Sequence, residues 1–199
     1  MKLRISNGRV IDPASNIDGQ HDVLVEDGKI IAVTERHDDF VADHTIDATD
    51  HIVCPGLIDL CARLRQPGQE HTATITSETH AAIAGGITSL VIPPDSDPII
   101  DSPAVIELIE DEAKKANRAM ILTIGALTQN LKGELLTEMA ALKAAGCVGV
   151  SNGLSEIKNS VIQRRAMEYT ATLDLTLFIN AADPWLQNQG CVHEGTVSA

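Results

Sequence analysis

Pro55-Gly56-Leu57-Ile58-Asp59-Leu60-Cys61-Ala62-Arg63-Leu64-Arg65 is the stretch that decides how the rest of the chain reads. An apolar run passes into a polar cluster, and residues at i and i+2 of an extended strand point to one side. Cys61 and Arg63 are therefore expected to face the same way at a strand end. One position offers a thiol; the other offers a guanidinium that stays protonated and repels a cation. The bland reading makes Cys61 a small buried packing residue and pairs Arg63 with a nearby carboxylate.

From Val53 onward buried strands alternate with helices. Strands are expected at Ile52–Leu60, Thr88–Ile92, Ala119–Gly125, Val148–Ser151 and Leu173–Ile179, with helices over Thr72–Ala84, Ser102–Asn117, Gly133–Ala145 and Lys158–Thr170. Ser102-Pro103 reads as an N-cap followed by proline at the first helical position, and Gly85 and Gly146 fall where helices end. Such βα units repeat about every 30 residues, as a parallel sheet requires. Residues 1–52 read differently, as short strands and turns. Lys2–Gly8 and Arg9–Asp12 flank a glycine turn, Asp27-Gly28 closes a hairpin between Asp22–Glu26 and Lys29–Val33, and Thr45–Asp47 and His51–Val53 complete a small sheet.

The fold class is therefore α/β: a small β-sandwich-like sheet over 1–52, then about the first five βα units of a (β/α)8 barrel over 53–199. Five strands do not close such a barrel, which takes at least about 200 residues by itself. The chain reads as a partial piece of a longer protein, or alternatively as a half-barrel whose open edges another subunit covers. Unpaired strand edges invite association, so a homo-oligomer is expected.

A net charge of −13 and a pI near 4.8 argue against nucleic acid or an anionic membrane as partner. With 44% hydrophobic residues and mean hydropathy of +0.03, the chain buries a core yet carries no apolar run long enough to span a bilayer. Cys54, Cys61, Cys147 and Cys191 are widely spaced, which suits reduced thiols and a cytoplasmic location. Aromatic residues make up 2% of the chain, leaving little to stack bases.

The ordered motifs resemble the dihydroorotase family of the amidohydrolase superfamily. They are Pro55-Gly56 through Arg65, Gln66-Pro67-Gly68, Gly85-Gly86-Ile87-Thr88, Pro93-Pro94-Asp95-Ser96-Asp97-Pro98, Gly125-Ala126-Leu127-Thr128, Leu131-Lys132-Gly133-Glu134 and His193-Glu194-Gly195-Thr196. The resemblance covers nearly the whole chain. It implies a metallo-dependent-hydrolase barrel in which zinc polarises a cyclic amide and lowers the pKa of water. It also implies that C-terminal strands finish the small sheet.

The same resemblance locates the ligand positions, and each carries an altered residue. The family's His-x-His pair falls on Cys61 and Arg63. A carboxylate after the fourth strand falls on Asn152 of Ser151-Asn152-Gly153. A histidine after the fifth falls on Asn180 of Asn180-Ala181-Ala182-Asp183. Amides are poor zinc ligands. Of the two residues that hold the substrate carboxylate in the family, Arg65 is kept, whereas Asp95 replaces an asparagine. Asp95 is expected to pair internally with Arg65 or Arg63.

No metal-binding histidine spacing stands out among His21, His37, His44, His51, His71, His80 and His193; His71 with His193 is the one combination worth testing. G-x-G-x-x-G and P-loop motifs are absent from the sequence. Vestigial metal positions at Cys61, Arg63, Asn152 and Asn180, vestigial substrate positions at Arg65 and Asp95, and no bound metal or other cofactor are the expectation. Through the resemblance this means a dihydroorotase-like pseudoenzyme that assembles with and stabilises aspartate carbamoyltransferase in pyrimidine biosynthesis. The alternatives are an active zinc-dependent dihydroorotase or related cyclic amidohydrolase with an altered site, or a piece with no function alone.

Overall fold

The computed structural model describes residues 1–35, 39–181 and 195–196. The chain divides into two compact units, Met1–Gly56 and Leu57–Ala199.

In the first unit, β1 (Lys2–Asp12), β2 (Ile17–Glu26), β3 (Lys29–Thr34) and β4 (His44–Asp47) lie in the order β3-β2-β1-β4, and β5 (Ile52–Val53) pairs with β1. β1 runs antiparallel to β2 but parallel to β4 and β5. The β2–β3 turn places Asp27 at φ 49° and Gly28 at φ 77°, the doubly left-handed form that matches strand twist. The glycine turn expected at Gly8 is not formed. β1 continues through it with a register shift between Ile5 and Gly8, and a Cβ on Gly8 would lie 2.6 Å from Val53 Cγ2. Glycine is needed there for close approach, not for reversal.

The second unit holds five parallel strands in sequence order: β6 (Leu57–Asp59), β7 (Ile87–Ile92), β8 (Met120–Ala126), β9 (Gly149–Ser151) and β10 (Thr176–Phe178). Between them run α1 (Ile75–Ala84), α2 (Pro103–Ala116), α3 (Met139–Ala144) and α4 (Ser160–Thr172). Parallel neighbours joined by helical crossovers give a half-barrel. Its core lies between helices and sheet, where Ile75, Ile106, Ile109, Met139, Leu142 and Val150 are fully buried. Each such side chain contributes about 1.5–3 kcal/mol through burial.

Several boundaries differ from the sequence expectation for identifiable reasons. The single strand expected over Ile52–Leu60 is two strands in two sheets, β5 and β6. Pro55 lacks an N–H for a ladder and Gly56 follows it, so pairing breaks between them. The helix expected over Gly133–Ala145 is confined to Met139–Ala144. Residues before it fold back on β8: Gln129 N–H donates to Leu135 O at 2.8 Å, and Thr137 N–H to Leu127 O at 3.1 Å. The last strand starts at Thr176, because α4 runs to Thr172 and Asp174 turns the chain at φ 47°.

The caps are equally specific. Thr74 accepts from Ser77 N–H while Ser77 returns a bond to the Thr74 backbone, a capping box that starts α1. Ser102 has the extended backbone of an N-cap but makes no side-chain cap bond, so Pro103 alone marks the start of α2. Gly85 ends α1, and Gly86 follows at φ 81°.

Candidate functional site at the mouth of the parallel sheet

Beyond β6 the chain stays extended, and Ala62 N–H donates to Val91 O at 2.9 Å. Ala62 and Leu64 turn into the core at 7% and 5% exposure, which leaves Cys61, Arg63 and Arg65 on the opposite, open side. The alternation expected from the sequence therefore persists, although Cys61 and Arg63 lie past the strand's last residue, Asp59. The packing role expected for Cys61 does not hold: its thiol is exposed.

Arg63 is tied on both edges of its guanidinium. Nε and Nη2 meet one oxygen of Asp95, Oδ2, at 3.0 and 2.9 Å, and Nη1 lies 3.7 Å from Cys61 Sγ. The hydrogen bond and charge of Asp95 raise the already high pKa of Arg63. Of the two arginines that could pair with Asp95, Arg63 is the one that does. Arg65 sits in the left-handed region at φ 64°, and its side chain has no ion-pair or hydrogen-bond partner among the described residues. Between them lies a cavity of about 70 Å³ lined by Arg63, Arg65, Gln66, Gln69, Asp95 and Asp97 among others.

Gln66 anchors this loop to the helices. Its Oε1 accepts from Ile75 N–H at 2.8 Å, and its Nε2 donates to Glu112 at 3.2 Å. Gly68 is pressed against the next loop, where a Cβ would fall 2.4 Å from Asp97 O.

Asn152, at 6% exposure, is bonded on every side. Its Oδ1 accepts from Thr128 Oγ1 at 2.6 Å, and its Nδ2 donates to Leu131 O at 3.2 Å and Ser155 O at 3.0 Å. Thr128 Oγ1 in turn accepts from Gly133 N–H at 2.9 Å. Sequence reasoning singled out Asn152 as a lost ligand and missed this role. The signal was present in Thr128, which closes the Gly125–Thr128 motif five residues before Gly133. Asn180 follows β10 and is exposed. Ala182, Asp183, His193 and Glu194 lie outside the described residues, so the combination of His71 with His193 does too.

The described side chains at these positions do not suit zinc. Arg63 presents a cation, Asn152 spends its oxygen on Thr128 and faces two carbonyls with its amine, and the Cys61 thiol stands against Arg63. Among the described residues, no group of three or more His, Cys, Asp or Glu side chains could share a metal ion. His71 and His80 are both exposed.

Solved structures place the architecture. An L-hydantoinase from Arthrobacter aurescens matches 94% of this chain and 43% of its own at a TM-score of 0.76 and 21% identity. A D-hydantoinase matches 91% and 40% at 0.68 and 18%. At these identities the likeness defines the fold: the leading part of an amidohydrolase-type TIM barrel with its N-terminal sheet. Residues 50–199 match the family described as Dihydro-orotase-like. A dihydroorotase-like protein of Pseudomonas aeruginosa is 44% identical across all of this chain and 47% of its own length. A dihydroorotase of Anaeromyxobacter sp. (strain K) is 39% identical over 98% of this chain and 45% of its own. The chain belongs to the dihydroorotase-like family, as its motifs suggested, and spans about half the length of the curated relatives it matches. No helix among the described residues is long and apolar enough to cross a membrane.

Proposed function

We propose that this chain is part of a non-catalytic dihydroorotase homologue. In this reading it is a cytoplasmic, cofactor-free and self-associating subunit that assembles with aspartate carbamoyltransferase and stabilises it in pyrimidine biosynthesis. The observation that carries the reading is the Arg63–Asp95 pair. A cation balanced by an internal carboxylate stands where the family resemblance puts a metal ligand. Zinc catalysis needs about three protein ligands around an open position, and Cys61, Arg63, Asn152 and Asn180 do not supply them. The relative named dihydroorotase-like protein, 44% identical, fits the same reading. A fold that has lost its chemistry can still serve through its surface.

A second reading keeps the enzyme. Relatives named dihydroorotase align over 98% of the chain, and Arg65, beside a cavity, has no partner among the described residues, so an altered cyclic amidohydrolase completed by further residues is the competing function. The two are separated by metal analysis of the full-length protein together with carbamoyl-aspartate cyclisation. The pseudoenzyme reading expects zinc well below one per chain and no cyclisation; stoichiometric zinc with turnover overturns it. The partner reading expects co-purification with the carbamoyltransferase and loss of that enzyme's activity on separation.

A further inference from the structure

Cross-ties join, in series, the loops that follow β6, β7, β8 and β9. Loop 61–70 meets loop 93–101 through Arg63–Asp95 and the Gly68–Asp97 approach. Loop 93–101 meets the segment after β8 through Asn130 N–H to Asp101 Oδ2 at 3.1 Å, and the last residue of β8 through Ala126 N–H to Ile100 O at 2.7 Å. That segment meets loop 152–156 through the Thr128–Asn152 bonds, and a Cβ on Gly133 would lie 2.7 Å from Glu156 O. The end ties of this series use Arg63 and Asn152, two of the positions where the family resemblance places metal ligands.

We propose that these residues are the lacing of a locked rim: Arg63 and Asn152 fasten neighbouring βα loops to one another, and the mouth is held by protein–protein bonds in place of a metal. The inference goes beyond a missing metal, because it assigns these side chains a conformational task. It stands whether or not the chain assembles with a transferase. The chemistry of Asn152 makes the point. An aspartate there keeps the acceptor for Thr128 but turns a carboxylate toward Leu131 O and Ser155 O, where two donors stood. A ligand-type residue at this position therefore opens the rim.

The test is amide hydrogen exchange of the 199-residue chain with residue resolution, paired with equilibrium dialysis against zinc. In Asn152→Asp, amides of 128–133 and 152–156 are expected to exchange at least about tenfold faster, a factor that corresponds to about 1.4 kcal/mol, while zinc uptake does not rise. Thr128→Val should loosen the same two loops, and Thr128→Ser should restore them. Arg63→Gln, at a more open position, should loosen 61–70 and 93–98 alone. Unchanged exchange in the loops of the folded variants overturns the proposal, as does one zinc bound per chain in Asn152→Asp. If Asn152→Asp fails to fold, the Thr128 pair and Arg63→Gln decide it on their own.

Discussion

Two positions where the family resemblance puts a metal ligand, Arg63 four residues past β6 and Asn152 just after β9, meet opposite fates. Arg63 is open, with its side chain 38% exposed, and it is balanced by a carboxylate whose side chain is 30% exposed. Asn152 is sealed and neutral, with three side-chain bonds to Thr128, Leu131 and Ser155. Water screens the first and supplies substitutes when it breaks, whereas nothing replaces the second. Burial, not formal charge, therefore sets how much each contributes to stability.

The largest expected effect follows from that difference. Asn152→Asp removes two donors, one from the buried Leu131 carbonyl and one from the part-buried bond to Ser155 O, and brings a carboxylate against both, which should cost about 3 kcal/mol. Urea unfolding checks it as a lower midpoint at unchanged slope; a loss below about 0.5 kcal/mol would mean that the sealed site relaxes freely. Thr128→Val acts one bond away, leaving Gly133 N–H without its acceptor and Asn152 Oδ1 without its donor. It should cost about 2 kcal/mol. The losses from combining it with Asn152→Asp should fall short of additivity, because both act on one network.

The two thiols extend the comparison to reactivity and pH. Cys61 is exposed at the mouth, while Cys147 is buried at 5% exposure with Thr123 Oγ1 at 3.5 Å from its sulfur. Burial raises the Cys147 pKa above its ordinary 9.0. A thiol harder to ionise when folded contributes stability that is whole below 9.0 and is lost as pH rises toward the folded value. Within that window the slope approaches about 1.4 kcal/mol per pH unit. Comparing the native chain with Cys147→Ala at rising pH isolates this loss from other groups that titrate there. Under native conditions at neutral pH, a disulfide reagent should modify Cys54 and Cys61 long before Cys147.

The sequence makes the same division visible in part. β7 and β8 are legible as apolar runs, and Gly85-Gly86 marks the end of α1, because these signals are local. The shortened α3 is not legible: residues 128–137 are held by bonds back to Leu127 and Leu135 that no helical or strand periodicity records. The positions Cys61, Arg63, Asn152 and Asn180 could be found from motif spacing, but their roles could not. Spacing put Cys61 on the side shared with Arg63 without showing that this side is open. It also left Asp95 a choice of two arginines, and the left-handed turn at Arg65 belongs to a loop conformation that one-dimensional pattern does not carry. For Asn152 the sequence shows what the residue lacks as a ligand; only the three-dimensional contacts show what it does.

The smallest expected effect is at the exposed end of the comparison. Arg63→Gln removes a pair that solvent reaches from both partners, so its contribution to stability should be no more than about 1 kcal/mol, and it should shrink as salt is added. Asp95→Asn should cost a similar amount. A double-mutant cycle between them measures the coupling directly. The stability cost can be small while the local consequence is not, since the pair joins loops 61–70 and 93–101 at one point near the cavity beside Arg65. A coupling well above that range would mean that the mouth behaves as a desolvated site like the one around Asn152, and the contrast between the two ends of the rim would then collapse.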